Sequence, residues 1–194
     1  MAETPRDAVL YVNVRSRRGA AWFRRSAEAL QASGIVLREA RGFRKPRNLL
    51  LAVKRAARED RVPLIVVGGG DGTLSAVARC FVGSPSVLGV LPLGTGNSFA
   101  RDLGLPAQPE QAAAALVAGE VGEVDLGYAG NDYFVNIATV GLTAHIAEEL
   151  QDEQKRRFGR AVYAFALIRG LAKVKPMRAR LMAGSETHEF ETLQ

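Results

Sequence analysis

Two short tracts carry the residues best able to do chemistry. The first is Gly68-Gly69-Gly70-Asp71-Gly72-Thr73, entered from the apolar run Leu64–Val67. Several glycines directly after a buried strand permit positive φ and close backbone approach. The peptide N–H groups there, with the N-terminus of a following helix, form a natural cradle for phosphate. Asp71 does not favour phosphate by itself. A carboxylate beside phosphates makes sense if it holds Mg²⁺, directly or through water, or accepts a proton from an attacking hydroxyl. Thr73 could donate to a phosphate oxygen. The plain alternative is a tight strand–helix turn with Asp71 or Thr73 as its cap.

The second tract is Pro92-Leu93-Gly94-Thr95-Gly96-Asn97-Ser98-Phe99-Ala100-Arg101, again entered from an apolar run, Val87–Leu91. Two glycine turns at the carboxyl ends of parallel strands would converge on one crevice, where open α/β sheets bind ligands. Neither tract is a P-loop, because no Gly-Lys-Ser/Thr follows, and the glycines fall wrongly for a dinucleotide fingerprint.

The surrounding elements decide whether such turns are positioned. Residues 8–14 read as a buried strand, 20–33 as a helix stopped by Gly34, and Ile35-Val36-Leu37 as the start of a second strand. Residues 46–59 read as a helix with Pro46 in its first turn. Residues 63–67 read as a strand, followed by a helix to about Phe81 and a strand over 87–91. Strands alternating with helices of this length predict βαβ units and a parallel, Rossmann-like sheet. Near residue 120 the pattern changes. Residues 121–128 and 133–140 read as two strands around a Gly130-Asn131 turn, followed by a helix at about 158–173. Residues 178–183 and 187–193 read as a hairpin around Gly184-Ser185. The predicted division is an α/β domain over 1–122 and the start of a β-rich domain over 123–194.

Composition narrows the class. The chain has 194 residues, 47% apolar and 24% charged, an ordinary globular balance. Its one cysteine, Cys80, excludes an intramolecular disulfide and a multi-cysteine zinc site, and its two histidines, His145 and His188, leave little for a histidine-rich metal centre. Cys80 is expected in the core, as are Trp22 and Phe23 of the first helix. No apolar run reaches the ~20 residues of a membrane span, and the N-terminus lacks an apolar signal core, so the expected compartment is the cytoplasm. Charge is segregated: residues 1–62 carry net +9, 63–150 net −7 and 151–194 net +4. Such segregation suits an anionic partner. Nucleic acid is disfavoured, because no aromatic-rich strand or basic recognition helix accompanies the charge. The tract Lys155-Arg156-Arg157 with Arg160 suits anionic lipid head groups or a solvated helix face equally.

In this order and spacing, GGGDGT, PLGTGNSFARDLGLP and VDLGY…YFVNIATVGLTA resemble the diacylglycerol-kinase-like lipid kinases, which include bacterial diacylglycerol kinases, related bacterial lipid kinases and sphingosine kinases. The tract 159–181, ending in ALIRGLAKVKPMRARL, is also similar to that family's passage into its second, β-sandwich domain. The resemblance implies an ATP-dependent lipid kinase using Mg²⁺, with nucleotide contacts from Gly69, Gly70, Asp71, Gly72 and Thr73 and from Gly94, Thr95, Gly96 and Asn97. It implies metal organisation by Asp71 and Asp125, and further nucleotide contacts from Asn13 and Ser16, which stand where the family shows Asn-Pro-x-Ser-Gly. Here that stretch reads Asn13-Val14-Arg15-Ser16-Arg17-Arg18-Gly19. Ser75-Ala76 stands where the family often has Asn-Glu, and Ser98 where it often has Asp.

Asp71 is the candidate catalytic residue within the chain. The family's general base is a carboxylate in a late segment that matches nothing up to Gln194. The chain is therefore expected to be a fragment, inactive alone, with exposed apolar edges around 121–140 and 178–193. The implied partners are a lipid substrate and, transiently, an anionic membrane surface. A homodimer is allowed, and the lipid's identity is open. Two other readings stand beside this one: a phosphotransferase like NAD kinase, which shares GGDGT, and a nucleotide-binding module without catalysis.

Overall fold

A computed structural model describes residues 2–129, 132–136, 176–183 and 186–193. The chain forms two compact units, Met1–Ile137 and Ala138–Gln194.

The first unit is built on four parallel strands: β2 (Asp7–Asn13), β3 (Val36–Phe43), β4 (Leu64–Gly69) and β5 (Val87–Pro92), in the order β3-β2-β4-β5. The two central strands, β2 and β4, are apolar on both faces because both faces are covered. On one face Val9, Tyr11, Ile65 and Val67 pack with Leu49 and Val53 of helix α2 (Pro46–Arg58) and Leu74 and Val77 of α3 (Asp71–Ala78). On the other, Ala8, Leu10, Val12, Leu64 and Val66 pack with Leu30 of α1 (Gly19–Ala32) and Ala112, Ala113 and Leu116 of α5 (Pro109–Ala118). The result is a three-layer α/β/α sandwich, as the alternation of strands and helices predicts. Cys80 lies in the first core, and burial pushes its thiol pKa up, as expected of a packing residue. Trp22 and Phe23 pack partly buried against the second core.

Local signals set the helix ends. Pro46 opens α2 and Pro109 opens α5. Proline costs nothing in a first turn, where its missing N–H has no helical partner. Gly34, at φ +89°, stops α1, and the N–H groups of Ser33, Gly34 and Ile35 turn back onto carbonyls of its last turn.

The expected strand 121–128 is corrected. Only Glu120–Val121 (β6) pairs there, antiparallel with Ala2–Glu3 (β1), and Gly127–Ala129 (β7) pairs with Asp132–Phe134 (β8). Between them residues 122–126 take no strand conformation, and Gly122, Glu123, Val124 and Asp125 are all exposed. The N-terminus captures Glu120 and Val121, Thr4 adding an Oγ1 hydrogen bond to the Gly119 carbonyl at 3.1 Å, so no single straight strand runs through to 128. Leu126 and Val135, beside β7 and β8, pack on the first core, which carries the compact division to Ile137, beyond the sequence change near 122/123.

In the second unit, β9 (Pro176–Ala183) and β10 (Glu186–Leu193) form the predicted antiparallel hairpin, with cross-strand pairs Arg178–Glu191 and Arg180–Glu189. Phe190 there, and Val124 and Tyr128 in the first unit, are exposed, in the two stretches where apolar edges are expected. The expected strand 133–140 is corrected in its described half, where strand ends at Phe134 and Val135 and Asn136 bend. Residues 137–140, the expected helix at 158–173, the turns at 130–131 and 184–185, His145 and the basic tract 155–160 lie outside the described residues.

Candidate functional site

β4 and β5 are adjacent and parallel, so their carboxyl ends deliver both glycine turns side by side. The Leu93 N–H donates to the Gly69 carbonyl at 2.9 Å, tying one turn to the other. The backbones then come so close that a Cβ on Gly94 would lie 2.4 Å from Gly70 Cα. The convergence expected of the two turns is therefore physical contact.

The β2–α1 loop joins them. Its Arg18 N–H donates to the Leu93 carbonyl at 3.0 Å. Asn13, the last residue of β2, donates from Nδ2 to Thr73 Oγ1 at 3.0 Å, while its Oδ1 accepts the Arg15 N–H at 3.0 Å. The amide is thus oriented at both ends, and the Thr73 hydroxyl, already accepting from Asn13, is left with its own proton to give. Ser16 donates its hydroxyl to the Asn13 carbonyl at 2.7 Å and shapes the loop.

Neither Asp71 nor Thr73 caps α3. The cap position is Gly70, whose side chain offers nothing and whose carbonyl accepts the Thr73 and Leu74 N–H groups. Asp71 instead reaches across the gap: its Oδ1 accepts the Phe99 N–H at 3.0 Å, at the start of the short helix α4 (Ser98–Asp102). A carboxylate at a helix N-terminus is favoured by the unpaired N–H groups there. Its second oxygen lies toward Gly96, where an added Cβ would sit 3.2 Å away.

Asn97 is left-handed, at φ 51°, and its side chain is spent inside its own turn. Oδ1 accepts the Gly94 N–H at 2.8 Å, and Nδ2 donates to the Gly94 carbonyl at 3.1 Å. It braces the turn rather than facing out of it. Thr95 and Gly96 form the turn's tip, Thr95 exposed. The roles of Asn97 as brace, and of Asp71 as the link to α4, were missed by sequence reasoning. The one available signal was asparagine's tolerance of left-handed backbone beside two glycines.

The structure brings together Asn13, Ser16, Gly69, Gly70, Asp71, Gly72, Thr73, Gly94, Thr95, Gly96 and Asn97. Asp125 stands exposed in the segment after β6, and no bond joins it to Asp71 among the described residues. Among those residues no group of three His, Cys, Asp or Glu side chains is placed to hold a metal. A magnesium ion that keeps several waters and shares substrate phosphates needs only one or two carboxylates, so Asp71 fits as a single protein ligand. The turns also fit a phosphate chain. Gly72 is exposed in the first turn of α3, and a Cβ there would meet nothing within 4 Å, so the space over that backbone is open.

No described helix is long and apolar enough to cross a membrane. Residues 7–129 match the diacylglycerol kinase catalytic domain model. The protein named probable lipid kinase YegS-like from Chromohalobacter salexigens is 34% identical over 131 residues, 66% of this chain and 42% of that one. Its namesake from Pseudomonas putida is 39% identical over 118 residues, 59% of this chain and 38% of that one. This chain thus spans about two fifths of the length of those relatives. A crystal structure of a diacylglycerol kinase from Bacillus anthracis str. Sterne superposes with a TM-score of 0.72 at 23% identity, covering 96% of this chain and 61% of that one. That likeness establishes the fold. The family model, matching well over half of the sequence on the unit that holds both glycine turns, establishes the rest: the chain belongs to the diacylglycerol kinase catalytic domain family.

Proposed function

We propose that the chain is the nucleotide-binding part of an ATP-dependent lipid kinase, transferring a phosphoryl group from Mg-ATP to a hydroxyl of a lipid such as diacylglycerol or sphingosine. The observation that carries the reading is the contact of the two glycine turns, with an open approach to the α3 N-terminus at Gly72. The phosphates lie over that N-terminus, where backbone N–H groups and the Thr73 hydroxyl, oriented by Asn13, donate to them. Asp71 holds Mg²⁺, directly or through water, or takes the proton of the attacking hydroxyl. The ion, when bound, neutralises phosphate charge. The protein's share is positioning and electrostatic stabilisation, the main contributions in phosphoryl transfer. Arg15 and Arg17 on the loop after β2, Arg44 and Lys45 on the loop after β3, and Arg47 in the first turn of α2 put positive charge at the same end of the sheet. That charge supports transient contact of a cytoplasmic protein with an anionic membrane surface, where the lipid substrate resides.

The test is calorimetric titration with ATP, with and without Mg²⁺, followed by transfer of labelled phosphate to a lipid panel and to NAD by the full-length protein. Mg²⁺-dependent ATP binding and a phosphorylated lipid support the proposal. A phosphorylated NAD product replaces it with an NAD kinase-like activity. Binding with no product leaves a non-catalytic nucleotide module, which Ser75, Ala76 and Ser98 at acidic or polar family positions would favour. No ATP binding overturns the reading altogether.

A further inference from the structure

Among the described residues the sheet ends on β3, and β3 is largely exposed. Of its eight residues only Phe43 is buried, and Val36 is 65% exposed. α2 packs chiefly on β2 and meets β3 and β4 to similar extents at its two sides, while α1 also lies against β3. A cleft of about 510 Å³ is left between the α2 flank and the β3 face, lined by Tyr11, Glu39, Arg41, Phe43, Leu51 and Arg55 among others. An open edge of this length exposes unpaired backbone groups, and proteins usually blunt it with charge. Blunting works when the charges repel an incoming strand. Here they do not repel a second copy.

The strand reads Arg38-Glu39-Ala40-Arg41-Gly42 across its middle. Laid antiparallel on itself about a two-fold axis through Ala40, it sets Glu39 opposite Arg41 of the other copy, twice, and Arg38 opposite Gly42. Directly opposed side chains of opposite charge attract, and like charges in that position repel. No like pair is directly opposed in this register; the Glu39–Glu39 and Arg41–Arg41 approaches are the longer diagonals, at about 7–8 Å against about 4.5–5.5 Å for the attractive pairs. Glu39 and Arg41 share the cleft face, because β3 runs regularly past its bulge at Arg38, with Glu39 level with Val9 and Arg41 with Tyr11. Their side chains are 46% and 63% exposed, and within one chain they approach only to 4.0 Å. Arg38 is engaged elsewhere, in a two-bonded ion pair with Asp7. The small Ala40 and Gly42 allow close approach.

We propose that β3 is a self-pairing edge: two copies of this chain join antiparallel through β3 about Ala40, making one continuous eight-stranded sheet with a doubled cleft over the seam. The arrangement is isologous, each residue meeting its partner in both directions, as a two-fold dimer requires. An interface this short falls below the ~1,000 Å² of a strong specific contact, so the dimer is weak, with an expected Kd of about 10–500 µM.

The test is sedimentation equilibrium of the intact chain from about 5 µM to 500 µM. The wild type is expected to be a concentration-dependent dimer, weakened by salt. Glu39→Arg and Arg41→Glu, each placing like charges across the axis twice, are each expected to raise Kd at least about tenfold. Mixed in equal amounts, the two variants face each other with attractive pairing regained in the heterodimer, so heterodimers should form at higher affinity than either variant alone. Thermal melting checks that each variant is folded. Glu39→Arg also deprives the Tyr11 hydroxyl of its 3.0 Å partner, so a second probe is needed that leaves both charges in place. Ala40→Cys puts two thiols on the axis at about 4.5–5.5 Å between Cα atoms, within disulfide range. It should cross-link on oxidation faster than Val36→Cys, which lies off the axis. A wild type monomeric at the highest concentration overturns the proposal. So do single variants that dimerise like wild type, a mixture that stays monomeric, or an Ala40→Cys chain that cross-links no faster than Val36→Cys.

Discussion

Glycines can be present because the fold leaves no room or because a ligand needs the room, and Gly94 and Gly72 separate the two cases. A Cβ on Gly94 would lie 2.4 Å from Gly70 Cα and 2.8 Å from Asn97 Oδ1. Carbon atoms rest at about 3.5–4.0 Å, so the turns would have to part by about 1 Å. Overpacking of that kind costs about 1–3 kcal/mol, and disturbing the Gly94–Asn97 hydrogen bond adds about 1 kcal/mol. Gly94→Ala should therefore destabilise the chain by about 2–4 kcal/mol in urea denaturation. At Gly72 a Cβ meets nothing within 4 Å. Alanine in that helical position should be neutral or stabilising, by up to about 1 kcal/mol. If phosphates lie over the turn, the new methyl group displaces them from a backbone donor. One lost hydrogen bond to a charged group is worth about 1.5–3 kcal/mol, a roughly 10- to 150-fold loss of ATP affinity by calorimetry. A Gly72→Ala chain that is stable and binds ATP as tightly as wild type would refute the placement of phosphate at this turn. A chain that unfolds would refute the claim that the space is empty.

Three further outcomes follow from the same geometry. Asn13→Ala leaves the Thr73 hydroxyl unoriented and should weaken ATP binding about fivefold, for about 1 kcal/mol, with little change in melting temperature. Equal ATP affinity would show that Asn13 serves the loop alone. Asp71→Asn keeps an oxygen for the Phe99 N–H but loses the charge, so the full-length protein should fold normally and lose Mg²⁺-dependent turnover, whereas Asp71→Ala should lose the α4 link as well. The Arg38 guanidinium holds the Asp7 carboxyl below its ordinary pKa of 3.8. A depressed folded pKa stabilises above the unfolded value and loses that contribution as pH falls through the folded one. Asp7→Asn should thus lower the melting temperature slightly at neutral pH, with the difference closing below about pH 4. A difference that persists in acid would assign the effect to packing.

Much of the fold was legible because the residue pattern carried both signals that matter. Apolar runs at β2 and β4 announced strands buried on both faces and a third run announced β5, while Gly34 and Pro46 marked where helices could stop or start; α5, opened by Pro109, was not read from the sequence. The reading failed over 121–128, where propensity described a strand but pairing depended on Ala2 and Glu3 arriving from the far end of the chain. Pairing across more than a hundred residues leaves no local trace.

The site divides along the same line. Residue order alone placed glycine-rich turns after two apolar strands, and with them the capacity to approach phosphate, because glycine's freedom and a strand–helix junction are local properties. Which turn touches which was a matter of strand order. Only the adjacency of β4 and β5 put Gly70 against Gly94, sent Asp71 to the Phe99 N–H, and turned Asn97 inward as a brace. Hydrogen-bond partners are chosen by distance in space, so a side chain's type announces what it can do and the packed sheet decides what it does.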